Sequence, residues 1–150
     1  MFFAWSLVAC LSRWLDAPYV LATGLQPVSV LAVGTDSLVA YTAKGALKID
    51  GNGVVADFPS APPAPERATI PLPAAAGPVL ARAVDAKGRI YFVRAGEAPA
   101  LYRVDGSDIT LIAEWVGDVT DMTFGGGGLL PIDNLYLART DGIVEYLRPP

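Results

Sequence analysis

Few side chains in this sequence are available for chemistry. No histidine occurs in the 150 residues, which removes a Ser-His-Asp triad, a Cys-His pair and any imidazole metal site. Catalysis would have to rest on carboxylates, hydroxyls, lysine or a bound hard cation. Among the carboxylates Asp121 stands apart, because Val119-Thr120-Asp121-Met122 reads as an innermost strand on which its side chain can face inward. Such a carboxylate can accept hydrogen bonds from neighbouring backbone, bind a ligand or contact a metal. Calcium takes about six to eight oxygen ligands, and one inward Asp does not make a site. The four glutamates, Glu66, Glu97, Glu114 and Glu145, are scattered. Gly125 to Gly128 has the composition of a phosphate cradle, but neither a lysine nor a helix start follows. Leu129-Leu130-Pro131 makes it a turn instead.

The charge pattern excludes a further class. The net charge is -4, the isoelectric point is about 4.6, and the three Lys and eight Arg form no cluster. Nucleic-acid binding needs a positive face to neutralise phosphates, so no nucleic-acid partner is expected. Hydrophobic residues make up 53% and charged residues 17%, which is too apolar for a disordered chain. Tyr91, Tyr102, Tyr136, Tyr146 and Trp115 fall on predicted strands, where aromatics serve packing; a sugar-stacking role for one of them is the alternative.

The elements that must position these residues are short strands. Apolar runs are broken by 15 Gly and 13 Pro, the punctuation of an all-β chain. Strands are predicted at Val28–Gly34, Ser37–Ala43, Ala46–Asp50 and Val54–Phe58, joined by tight turns into an antiparallel meander. Residues 59–78 hold seven prolines. Proline lacks the ladder N–H, so this stretch reads as an extended surface connector between units.

The pattern then repeats. The first strand recurs as VSVLAVG from Val28, VLARAVD from Val79 and VTDMTFG from Val119. The second recurs as SLVAYTA, RIYFVRA and NLYLART, the third as ALKID, LYRVD and IVEYL, and the fourth as VVADF and ITLIAEW. Leu38, Ile90 and Leu135 take equivalent places, 52 and 45 residues apart, the first interval carrying the proline-rich stretch. Propeller blades repeat at roughly 40–50 residues with four strands each. The expectation is therefore an all-β fold: a β-propeller fragment of about three four-stranded antiparallel blades at 28–58, 79–115 and 119–150, with the connector at 59–78. The last blade ends at its third strand and reads as incomplete, and Leu15–Thr23 (LDAPYVLAT) is a candidate for the missing strand.

Asp85-Ala86-Lys87-Gly88-Arg89-Ile90-Tyr91-Phe92-Val93 resembles the repeat core of NHL-repeat and gluconolactonase-type (regucalcin-like) propellers. Asp133-Asn134-Leu135-Tyr136-Leu137-Ala138 resembles a variant of it, and Phe124-Gly125-Gly126-Gly127-Gly128-Leu129 resembles its glycine-rich lead-in. The resemblance spans Val28 to Arg148. It implies a central channel in which gluconolactonase-type members hold a divalent cation, often calcium, through Glu, Asn and Asp. For this chain it implies Asp121 as a ligand or metal contact, while Asp133 and Asn134 read as turn residues.

Residues 1–27 form an apolar N-terminal segment. Met1 to Leu11 is shorter than the roughly 20 apolar residues that span a bilayer. Leu7-Val8-Ala9-Cys10 resembles the lipobox of bacterial lipoproteins, which implies lipidation at Cys10 and membrane attachment through it. The alternative is a segment that packs on the domain, with Trp5 and Trp14 as core or membrane-interface anchors. Cys10 is the sole cysteine, so no internal disulfide forms; a lone cysteine suits the cytosol and a lipoprotein equally, and the localisation stays open with the bacterial envelope or secretion slightly favoured over the cytoplasm.

Two functions are weighed. The first is a non-catalytic propeller used for binding or as a scaffold, and the second is a divalent-metal-dependent lactonase-like hydrolase. Three blades do not close a ring, since propellers carry about four or more. The expectation is therefore one of three: the chain is a fragment of a larger propeller, self-association or another chain completes the ring, or the N-terminal segment caps the opening.

Overall fold

The computed structural model describes residues 18–66, 70–114 and 116–150. Cys10, Trp5, Trp14 and Trp115 lie outside the described residues. Twelve strands are described: β1 (Tyr19–Ala22), β2 (Val28–Val33), β3 (Ser37–Thr42), β4 (Gly45–Asp50), β5 (Val55–Asp57), β6 (Val79–Val84), β7 (Ile90–Arg94), β8 (Ala100–Asp105), β9 (Asp108–Ala113), β10 (Val119–Phe124), β11 (Leu135–Arg139) and β12 (Val144–Leu147). They form three antiparallel four-stranded sheets, ordered β2-β3-β4-β5, β6-β7-β8-β9 and β1-β12-β11-β10. Among the described residues no helix is long and apolar enough to cross a membrane.

Local chemistry sets the turns. Asp50 Oδ1 accepts the amides of Asn52 and Val54, both at 2.9 Å. Asp85 Oδ1 does the same for Lys87 at 3.0 Å and Arg89 at 2.8 Å. In each case an aspartate satisfies the amides two and four residues on, and so fixes a tight turn between strands. Burial acts to raise the Asp85 carboxyl, but hydrogen bonds from Arg89 and Lys87 outweigh it and hold it below the ordinary carboxylate value.

A second repeated feature lies in the ladders. Where the first strand of each sheet pairs with the second, the register slips once. The slip falls between Val28 and Val30 in the first sheet, Val79 and Ala81 in the second, and Val119 and Asp121 in the third. These are equivalent positions of the repeat, so Ser29, Leu80 and Thr120 are matched bulge residues. A bulge re-aims side chains and increases local twist.

The last unit is not a strand short. The structure corrects that expectation, because β1 pairs antiparallel with β12, with Tyr19 opposite Tyr146 and Val20 opposite Glu145. The strand comes from within Leu15–Thr23, and it covers the β12 edge that would otherwise expose a row of unpaired backbone groups. Two turn glycines make room for it. Gly53 and Gly142 both have left-handed backbone (φ 84° and 79°), and a Cβ on either would overlap the carbonyl oxygen of Leu21 or Leu25 respectively. The Leu25 amide donates to the Gly142 carbonyl at 3.1 Å.

The sheets stack face to face with the third in the middle. Its first strand, β10, packs against both β2 and β6. On one side Leu135, Leu137 and Leu147 join Tyr91, Val93 and Leu101 of the second sheet. On the other side Tyr136, Ala138 and Val144 join Leu31, Leu38, Ala40 and Ile49 of the first. Leu135 to Ala138 are consequently all buried, the continuous apolar run of a strand covered on both faces.

Candidate functional site

The first strands of the three sheets converge along one line, and a cleft of about 660 Å³ opens there. Its walls are Ser29 of β2, Leu80 to Val84 of β6 and Thr120 to Phe124 of β10, with Glu66 and Ile70 of the connector at its rim. The matched bulges place Ser29, Leu80 and Thr120 on this surface. Hydroxyls, apolar side chains, Arg82, Asp121 and Glu66 make up its chemistry.

Asp121 reaches the cleft wall, as its place on the first strand suggests, but its carboxylate is engaged. Oδ2 accepts the Leu31 amide of β2 at 2.8 Å, and the residue is 7% exposed. Its neighbour Thr120 donates its hydroxyl to the Val28 carbonyl at 2.6 Å. Two successive side chains of β10 therefore bond the backbone of β2, joining the third sheet to the first where no ladder exists. Among the described residues no group of three or more Asp, Glu, Cys or His side chains is placed to hold a metal ion.

The other candidates pack. Gly127 and Leu130 exchange backbone hydrogen bonds at 2.7 and 3.2 Å, so Gly125–Gly128 belongs to a turn. Asn134 accepts from the Arg148 guanidinium at 3.4 Å and its amide lies 3.5 Å from the Tyr136 hydroxyl, beside the turn that holds Asp133. Tyr91 is fully buried with its ring 5.2 Å from Phe124. Tyr102 stacks on Phe92 at 5.6 Å beneath the Arg94 guanidinium. Tyr146 lies between Tyr19 and Tyr136. None of these tyrosines lines the cleft.

Two features had no counterpart in the sequence reading. Glu145 on β12 is 4% exposed. Burial pushes its carboxyl up to about 7, against the opposing pull of Arg139, whose Nη1 lies 3.6 Å from Oε2. Among the described residues its Oε1 has no hydrogen-bond partner. The second feature is a set of polar side chains that hold the connector, namely Tyr41, Arg82 and Arg94. The arginines are spaced like solvent-facing strand residues, so only their carbonyl partners reveal the role.

No protein-family model matches this chain, and no curated protein matches it.

Proposed function

We propose that the three sheets are blades of the β-propeller type and that the chain is a non-catalytic binding or scaffold module whose ligand surface is the axial cleft. One observation carries this reading. The first strands of all three sheets line a single cleft, and the one acid they contribute, Asp121, is spent on the Leu31 amide. Repeated bulges, aspartate turns and the resemblance of Asp85–Val93 to the NHL and gluconolactonase-type repeat core support the blade reading. A cation-dependent lactone hydrolase needs a ring of inward oxygen ligands; among the described residues the cleft has two acids, Asp121, bonded to the Leu31 amide, and Glu66 on the connector, beside Arg82, hydroxyls and apolar groups.

The test is a thermal unfolding series of the full chain with calcium raised to about millimolar. A ligand that binds the native state must raise the midpoint. An unchanged midpoint is expected. A rise of several degrees that vanishes in Asp121→Asn would replace the binding-module reading with the metal-dependent one.

A further inference from the structure

In a stack of three sheets the two outer layers should each leave one face open to water, and their strands should alternate buried and exposed. They do not. Ser37 to Ala40 of β3 are all buried, and so are Tyr91 to Val93 of β7. Leu38 and Ala40 point at the third sheet, so Val39 points away from it and is still only 4% exposed. Tyr91 and Val93 point at the third sheet, so Phe92 points away and is fully buried.

The proline-rich connector lies over both faces; on the second, Tyr102 stacks on Phe92 and the arginines beside it hold the connector. Over the first sheet, the Tyr41 hydroxyl donates to the Pro62 carbonyl at 2.8 Å, and the Lys48 ammonium sits 4.4 Å from the Phe58 ring centroid. Val39, Tyr41 and Lys48 share one groove with Pro62, Pro63 and Pro65. Over the second sheet, Arg82 donates to the Ile70 carbonyl, and Arg94 donates to the carbonyls of Ala76 at 3.0 Å and Ala75 at 3.1 Å. Ala76, in a single 3₁₀ turn at Ala74–Ala76, is 2% exposed. Proline suits this task. It brings apolar surface and no unpaired N–H, and an extended proline segment loses little conformational entropy when it docks.

Sheet order makes the placement informative. The first and third sheets adjoin, as do the third and second, and β1 seals the third. The open side therefore lies between the first and second sheets, which the connector joins in sequence and whose outward faces its described residues overlie. We infer that the connector occupies, in cis, the surface on which a further sheet or a second copy would dock, so the chain does not complete itself by self-association. This concerns packing and stands whether or not the axial cleft binds a ligand.

Sedimentation velocity of the wild-type chain at about 10 μM is the first test. A monomer is expected, and a dimer would overturn the inference. The second test uses Tyr41→Cys with Pro62→Cys in a Cys10→Ser background, treated with a short bismaleimide. Cross-linking within one chain, at monomer mass, is expected. A covalent dimer, or no cross-link in a variant that still unfolds cooperatively, would overturn it. Should the variant not fold, the sedimentation result decides alone.

Discussion

Glu145 is a carboxyl that the fold prefers protonated. Its value rises from 4.5 to about 7 on folding, mainly through burial. Below pH 4.5 it is protonated in both states and costs nothing. Between 4.5 and 7 the unfolded chain loses the proton while the folded one keeps it, so stability falls as pH rises. The full difference amounts to about 3 kcal/mol. Asp85 and Asp105 act with the opposite sign, since their values are lowered and their contribution disappears only as pH falls below the ordinary 3.8. Urea unfolding at pH 5 and pH 8 should therefore show the parent less stable at pH 8. Glu145→Gln should flatten that difference and exceed the parent at pH 8; an unchanged slope would mean that Glu145 does not titrate in this window. Asp121 makes a separate case. Asp121→Ala leaves the buried Leu31 amide without this acceptor, a loss of about 1–3 kcal/mol. Asp121→Asn keeps an oxygen at the same reach and should lose clearly less in the same measurement.

Strand β1 shows how an element is held by residues far from it in sequence. Gly53 and Gly142 are residues of the type that turns favour, but nothing in their type marks them as the seat of another strand. Gly142 combines a left-handed φ with a backbone approach that excludes a Cβ, so Gly142→Ala should cost about 2 kcal/mol from the backbone strain alone. It should also raise amide exchange across Tyr19–Ala22 before other strands respond, and exchange rising equally everywhere would refute the local seat. The strands themselves were readable because similar short apolar runs recur in each repeat and are broken by Gly and Pro. The bulges were not readable, since a one-residue slip leaves composition untouched and appears only in the pairing. Glu145 was hidden for a related reason. The sequence does not show that β12 belongs to a sheet covered on both faces, where Glu145, opposite Leu137 on β11, is buried whichever way it points. The connector was legible as extended and non-ladder, but proline content does not say which faces it covers.

At the scale of the molecule, chain order and spatial order differ. The third sheet, last in sequence, lies between the other two, and it is closed by the first described strand. Strand β1 can pair only when β12 is in place, so the first and last described strands are tied into one cooperative unit. Loop-closure entropy for that pairing is offset only after the intervening sheets have packed. Protection should follow the layers. The inner strand β11 has both faces buried by other sheets and should exchange its amides most slowly, near the rate set by global unfolding. Strands β3 and β7 should come next, because their outward faces depend on a connector held by a few hydrogen bonds. The edge strand β5, exposed at all three of its residues, should exchange fastest. Hydrogen–deuterium exchange read by mass spectrometry distinguishes this ranking from the alternative. If β3 or β7 were slower than β11, the stable unit would be an outer sheet with its connector, and the third sheet would not be the centre on which the others assemble.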